Sequence, residues 1–260
     1  VIHKNGGSVE TGKKVVRVET KDNIVVKVLC EDGSSYNCDF VFSDISPRLT
    51  YSLLGRGTEL FDYTPSHSIP TCCIGIEGGL PSIADMKGRN YWWQDGNEVD
   101  YKNTDITVPP QMLFIGSPSA NGFGKAKENK NDALVVFCPG NYHQEKMIYE
   151  GGSEAIHKFK TKLANDIIDI LEKNVFPGIK SKLLFVEIIS SIDIEKDTAG
   201  ELGNAYGRRL TVKEILKGAI DEEDCPQNLY NVSATKNSPG IAAGIFTAEL
   251  LLHELTGIEI

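Results

Sequence analysis

The chain has 260 residues, 40% of them hydrophobic and 24% charged, a balance that suits one large globular domain or two modest ones. A net charge of −9 without any basic run excludes nucleic acid as an expected partner, because phosphate binding rests on clustered Lys and Arg. Six cysteines (Cys30, Cys38, Cys72, Cys73, Cys138 and Cys225) lack C-x-x-C pairing and read as buried free thiols, and five histidines lack ligand spacing, so neither a metal site nor a catalytic triad is expected.

Residues 1–46 alternate apolar and polar positions in short runs, at Lys14–Glu19, Ile24–Cys30 and Tyr36–Ser43, broken by Gly6-Gly7 and Asp32-Gly33. Period-two alternation with such turn signals predicts a β meander ending in a buried strand, Phe40-Val41-Phe42. Ser46-Pro47 closes that strand, and a short helix over Leu49–Leu54 stops at Gly55. Strands are expected at Thr71–Glu77, Asn90–Gln94, Gln111–Ser117 and Ala133–Pro139, with a mobile hairpin loop over Ala120–Asp132. Ser153 is the expected N-cap of a long helix whose apolar residues Ile156, Phe159, Leu163, Ile167, Ile170 and Leu171 recur at spacings of three and four. Pro177-Gly178 ends it, a strand follows over Lys182–Ile189, and Thr211–Lys217 reads as a short helix. The chain closes with a strand at Leu229–Val232, a Ser-Pro-Gly turn and a helix from about Ile241 to Leu255.

No apolar stretch approaches the ~20 residues needed to span a bilayer, and no signal-type segment opens the chain, so a soluble protein or one in peripheral contact with a membrane is expected. Val1 stands where a Met would open a gene product, inside what reads as a strand and turn, and the expectation is that an N-terminal portion precedes it. The order of elements divides the chain into 1–60 with 225–260 as one domain and 65–220 as another.

Four segments together resemble the phytoene desaturase, carotenoid isomerase and retinol saturase family of amine-oxidase-like flavoproteins. They are Asn5-Gly6-Gly7 with Val15–Val18, Asp32-Gly33 and Asp39-Phe40-Val41-Phe42-Ser43-Asp44-Ile45-Ser46-Pro47; Val175-Phe176-Pro177-Gly178-Ile179; Gly203-Asn204-Ala205-Tyr206-Gly207; and Asn228-Leu229-Tyr230 followed by Ser238-Pro239-Gly240 and the last helix. The resemblance implies an α/β flavoprotein of two domains, of which this is the C-terminal part: 1–60 and 225–260 belong to a Rossmann-like FAD-binding domain, and 65–220 form an α+β substrate domain with a mixed sheet and a long helix. The Gly-x-Gly-x-x-Gly fingerprint for the FAD pyrophosphate is not in these residues and would lie upstream of Val1, so a companion segment carrying it is the expected partner, and this chain alone is not expected to hold FAD tightly. The implied chemistry is oxidoreduction or isomerisation of a polyene or similar apolar small molecule, with the flavin carrying hydride or electrons. An organelle or the endoplasmic reticulum are the compartments the resemblance offers.

A strand running into a helix N-terminus points backbone N–H groups and a positive dipole end at an anionic group, which makes Pro239, Gly240, Ile241 and Ala242 the candidate cofactor contacts. The resemblance adds Ser233, where Ser233-Ala234 replaces the family's glycine followed by an acid or amide. Tyr206 and Asn204 are candidates for a substrate pocket, against a tight turn whose glycines serve only backbone geometry. Trp92 in Tyr91-Trp92-Trp93 faces opposite to its neighbours and is a candidate floor for an apolar cavity, against ordinary core packing. Arg208-Arg209 reads as a solvated pair, and the sequon Asn231-Val232-Ser233 as part of a buried strand rather than a glycan acceptor. Two further readings stand beside the polyene enzyme: a degenerate structural subunit of a larger assembly, and an amine oxidase.

Overall fold

Alternation in the first residues yields three antiparallel strands, β1 (Val15–Lys21), β2 (Ile24–Cys30) and β3 (Ser35–Asn37), in the order β1-β2-β3. Asp22 and Asn23, both at positive φ (51° and 59°), make the tight turn between the first two. The structure is a computed structural model that describes residues 1–59, 61–99, 104–120, 131–204, 206–220, 222, 224–237 and 239–257. It divides into two compact units, Val1–Pro65 with Tyr206–Ile260, and Ser66–Ala205.

In the first unit the meander leads into β4 (Val41–Ser43), which pairs in parallel with β10 (Leu229–Asn231), and helix α1 (Pro47–Leu53) follows under a Ser46 cap. Asn228 ties these pieces together: its Oδ1 accepts from Val25 N at 2.7 Å, and its Nδ2 donates to Val25 O and Asp39 O at 2.9 and 2.8 Å. Val18, Val25 and Leu229 form one small core, and Tyr51, Phe61 and Tyr63 another. The expected burial of Phe40-Val41-Phe42 is corrected: Phe40, just ahead of β4, and Phe42 are exposed, because the strand is a three-residue pair with β10 in which Phe42 meets only the Tyr230 ring, at 5.5 Å between centroids, on one side. Short helix α6 (Val212–Lys217) and the 16-residue α7 (Ile241–Thr256) complete the unit.

The sequence division at 220 and 225 moves to 205 and 206 because the intervening segment is tied to the first unit. Arg209 N donates to Thr64 O at 2.7 Å, Pro65 and Arg208 form a β-bridge, and Lys217 Nζ pairs with Asp62 at 2.7 Å.

The second unit is built on five strands, β5 (Thr71–Ile76), β6 (Tyr91–Gln94), β7 (Met112–Gly116), β8 (Asp132–Phe137) and β9 (Leu183–Ile189), in the order β6-β7-β8-β5-β9. Each pairing is antiparallel, which corrects the expectation of a mixed sheet; β6, β7 and β8 are neighbours in chain order and pair as successive antiparallel strands, whereas parallel neighbours need long crossovers. Helix α4 (Ser153–Asn174) buries Phe159, Leu163, Ile167 and Leu171 in one core with Ile74, Leu113, Ile115 and Val136 of the sheet. Its N-cap is Gly152 and not Ser153, which is the first helical residue.

Helices α2 (Pro81–Ala84), α3 (Tyr142–Glu150) and α5 (Ser191–Thr198) were not expected from the sequence. Ser190 and Asp193 close α5 with a reciprocal capping box. From the opposite side the buried Glu145 of α3 accepts from Ser191 N and Ser191 Oγ, each at 2.7 Å. The loop expected over Ala120–Asp132 falls mostly on residues 121–130, outside the described residues.

Candidate functional site

Strand alternation sends one set of side chains of the five-stranded sheet into the α4 core and leaves the other set on an open face. Trp92 belongs to the open face, 67% exposed, while Tyr91 and Trp93 pack against the core. In register with Trp92 stand Phe114 on β7 and then Phe137 on β8. The three rings form a continuous contact: Trp92 meets Phe114 edge-on at 4.9 Å between centroids, and Phe114 stacks on Phe137 at 5.6 Å. Sequence reasoning singled out Trp92 and not Phe114, Phe137 or Phe185; alternation sets each strand's faces, but the register that lines the strands up is not in it.

The rows beside this wall are low. Gly116, Val135, Cys73 and Glu187 are successive register partners across β7, β8, β5 and β9, and Ala133, Gly75 and Phe185 make the next row. The Phe185 ring rests directly on Gly75: a Cβ there would lie 2.4 Å from Phe185 Cε1. Burial, and after it the nearby Glu187 carboxylate, push the Cys73 thiol above its ordinary value, so this sulfur is held protonated and is no nucleophile.

The pair Asn204 and Tyr206 is divided between the two units. Asn204 is buried, donates to Glu201 O at 2.6 Å and bridges to Ser68, whereas Tyr206 is exposed. Gly203 and Gly207 serve backbone geometry, with φ of 62° and 82°; a Cβ would meet Ser191 O at 2.2 Å in the first case and Thr235 N at 2.9 Å in the second.

Arg208 is not solvated, which corrects the sequence reading: it is 3% exposed, donates to Gly218 O at 2.6 Å and to Asn237 O, and has Glu214 Oε2 at 3.9 Å. Asn237 in turn donates to Thr247 Oγ1 at 2.7 Å, so Arg208 fixes the segment that enters α7.

At the α7 entrance Gly240 is the N-cap, with φ 91°, and accepts from Ala243 N and Gly244 N. The N–H groups of Ile241 and Ala242 therefore precede the intrahelical ladder, and both residues are exposed. Pro239 and Gly240 are half-buried. Ser233 is buried, its N–H and hydroxyl both donated to Asn231 Oδ1 at 3.0 and 2.7 Å. Asn231 itself is 2% exposed and donates to Ile45 O at 2.9 Å, a geometry closed to a glycan. Among the described residues no cluster of His, Cys, Asp and Glu is arranged for a metal ion, and no helix is long and apolar enough to cross a membrane.

No protein-family model matches the chain. It is similar to the 4,4'-diaponeurosporene oxygenase of Staphylococcus aureus (strain MRSA252), 22% identical over 249 residues that make up 91% of this chain and 48% of that protein. The enzyme of the same name from the bovine RF122 / ET3-1 strain is 21% identical with the same coverage. The chain thus spans about half the length of the curated relatives it matches.

Among solved structures it resembles an oxidoreductase from Methanosarcina mazei, with a TM-score of 0.56, 12% identity and coverage of 97% of this chain and 51% of the other. A putrescine oxidase redesigned in its cofactor binding gives 0.55, 11%, 93% and 48%, and a reduced UDP-galactopyranose mutase 0.53, 13%, 98% and 48%. The chain shares its fold with about half the length of each of these three proteins.

Proposed function

We propose that the chain is the C-terminal part of an FAD-dependent oxidoreductase acting on an elongated apolar, polyene-like molecule. In this reading Ser66–Ala205 presents the substrate surface, and the unit holding β4, β10 and α7 is the remainder of the FAD-binding domain. The single observation that carries the proposal is the open sheet face, with its aromatic wall and low apolar floor, in a chain similar to an enzyme named for a carotenoid-type substrate. Aromatic faces attract flat, apolar molecules and offer them neither a charge nor a nucleophile.

The residues suit FAD. The uncapped entrance of α7 offers the Ile241 and Ala242 N–H groups to an anionic part of the cofactor, and the Pro239-Gly240 turn admits close backbone approach. Ser233 is tied from inside to Asn231, with its N–H and hydroxyl already donated, and so would offer FAD no free donor of its own. FAD, when bound, would supply the hydride or electron transfer. This chain's contribution is then to orient the substrate on the sheet and to keep water from it.

The two-stranded parallel pair of β4 and β10 is too small to stand as a sheet, since parallel strands need both faces covered. We assign the missing neighbours to an upstream segment of the same polypeptide or a companion chain, in keeping with the half-length match to the relatives.

The test is expression of the gene with its upstream region, followed by the flavin spectrum of the purified protein and of an Ile241→Pro variant. Proline is tolerated at the first helical position but lacks the N–H, so the variant should keep its helix content and lose about tenfold in FAD affinity. A colourless protein that takes up no added FAD would overturn the proposal in favour of a structural subunit.

A further inference from the structure

The open face of the sheet carries one charge, and it lies at an edge. Among the described residues that the five strands turn to this side, from Trp92 on β6 to Phe185 and Ile189 on β9, Glu187 is the one that is charged. It ends the row of small and medium side chains made by Gly116, Val135 and Cys73. The wall of Trp92, Phe114 and Phe137 flanks this row on one side, and the Phe185 ring, lying over Gly75, flanks it on the other. From Gly116 on β7 to Glu187 on β9 the row crosses three strand spacings, about 14 Å. At the β6 end the Asn90 amide stands beside Gly116, where a Cβ would lie 3.4 Å from Asn90 Oδ1. The row therefore has a neutral amide at one end and a carboxylate at the other.

Glu187 is exposed, and among the described residues its carboxylate has neither a hydrogen bond nor an ion pair. Its neighbours on the face are Cys73 across the strand pair and Phe185 and Ile189 along β9, none of which is a cation. A carboxylate only accepts hydrogen bonds, so its complement in a ligand is a donor.

We infer that the substrate lies along this row with a hydroxyl group at its β9 end, and that Glu187 accepts the hydroxyl's hydrogen bond and so sets which way round the molecule lies. The inference rests on the reading of this face as the substrate surface and adds to it a polar end group, an orientation and a specificity-determining residue. A hydroxyl donating to a carboxylate makes a charge-assisted contact, stronger than one between neutral groups, while the rest of the molecule stays on apolar side chains. A hydroxyl also gives up less hydration than an ammonium group on leaving water for a half-buried apolar row.

The experiment uses the protein as its gene encodes it, loaded with its cofactor, and all-trans polyenes of equal length ending in a methyl, a hydroxyl or an ammonium group. Kd is read from quenching of tryptophan fluorescence by the polyene. The parent should bind the hydroxyl-ended polyene about tenfold tighter than the hydrocarbon, and Glu187→Leu should bring that ratio close to one while tightening the hydrocarbon. Glu187→Gln, which keeps an acceptor without the charge, should fall between the two. Asn90→Ala, at the other end of the row, should keep the parent ratio. If polyenes bind with a ratio that Glu187→Leu does not change, the charge serves only to keep the β9 edge from pairing, and the inference falls while the substrate surface stands. A parent that binds the ammonium-ended polyene tightest would overturn the hydroxyl assignment. If no polyene binds the parent at all, the substrate reading falls, and the inference with it.

Discussion

A single buried carboxylate shows how tightly residue chemistry is held in the second unit. Glu145 sits inside α3 with no exposure, yet accepts two hydrogen bonds from Ser191 at the start of α5. Burial pushes its carboxyl above the ordinary 4.5, and this outweighs the bonds from Ser191 that favour the charged form. The folded chain therefore retains this proton where the unfolded chain has lost it, so the group's contribution to stability is intact below 4.5 and declines as pH rises from there through the native value. Glu145→Gln preserves an acceptor for Ser191 N and places a donor against Ser191 Oγ, but cannot ionise. Its urea midpoint should vary less with pH above 4.5 than that of the parent; parallel profiles would show that the carboxyl does not titrate there.

At the scale of elements, α4 is the helix on which the sheet depends. Its apolar stripe recurs at helical spacing and contributes Ile167 and Leu171, both essentially inaccessible, to the core under β5, β7 and β8. Leu171→Ala should destabilise the fold by about 3 kcal/mol, the usual sum of lost transfer energy and residual cavity, seen as a lower denaturation midpoint at unchanged slope. Helix α7 is the opposite case. Its sequence is apolar nearly throughout, but Thr247 is its buried residue, while Ile241 is 85% exposed and Ile245, Phe246, Leu250, Leu252 and Leu255 are exposed as well. A helix that exposes this many large apolar side chains, and carries only Glu249, His253 and Glu254 as charged or titratable groups, is at home against a covering partner.

For the whole molecule this gives a prediction about the two halves of the proposed flavoprotein. Chain 1–260 produced alone should bind a hydrophobic dye and self-associate through α7, and the double change Ile245→Gln with Leu250→Gln should reduce both. In the protein with its upstream region the same double change should lower thermal stability, because those side chains would then be buried. Dye binding by the longer protein at the level of the short one would contradict the assignment of α7, β4 and β10 to an interface with the missing segment.

Sequence alone determined most of the strands, the α4 stripe, the closing helix and Trp92 on the open side of its strand, because each is set by a local period of two or 3.6 residues. The cysteines read from sequence as buried free thiols; all six are free, but only Cys30, Cys72 and Cys138 are buried, while Cys38, Cys73 and Cys225 are half-buried, since burial depends on tertiary contacts. Tertiary structure decided the rest. Arg208 reads as an exposed base until Gly218, Asn237 and Glu214 close round it. Glu145 and α5 gain their roles only when α3 meets Ser191. Trp92, Phe114 and Phe137 become one wall, and Gly75 a seat for Phe185, only through a strand register that joins residues far apart in the chain. Periodicity is written residue by residue, whereas register, burial and partner are properties of contacts between segments, and no single segment contains them.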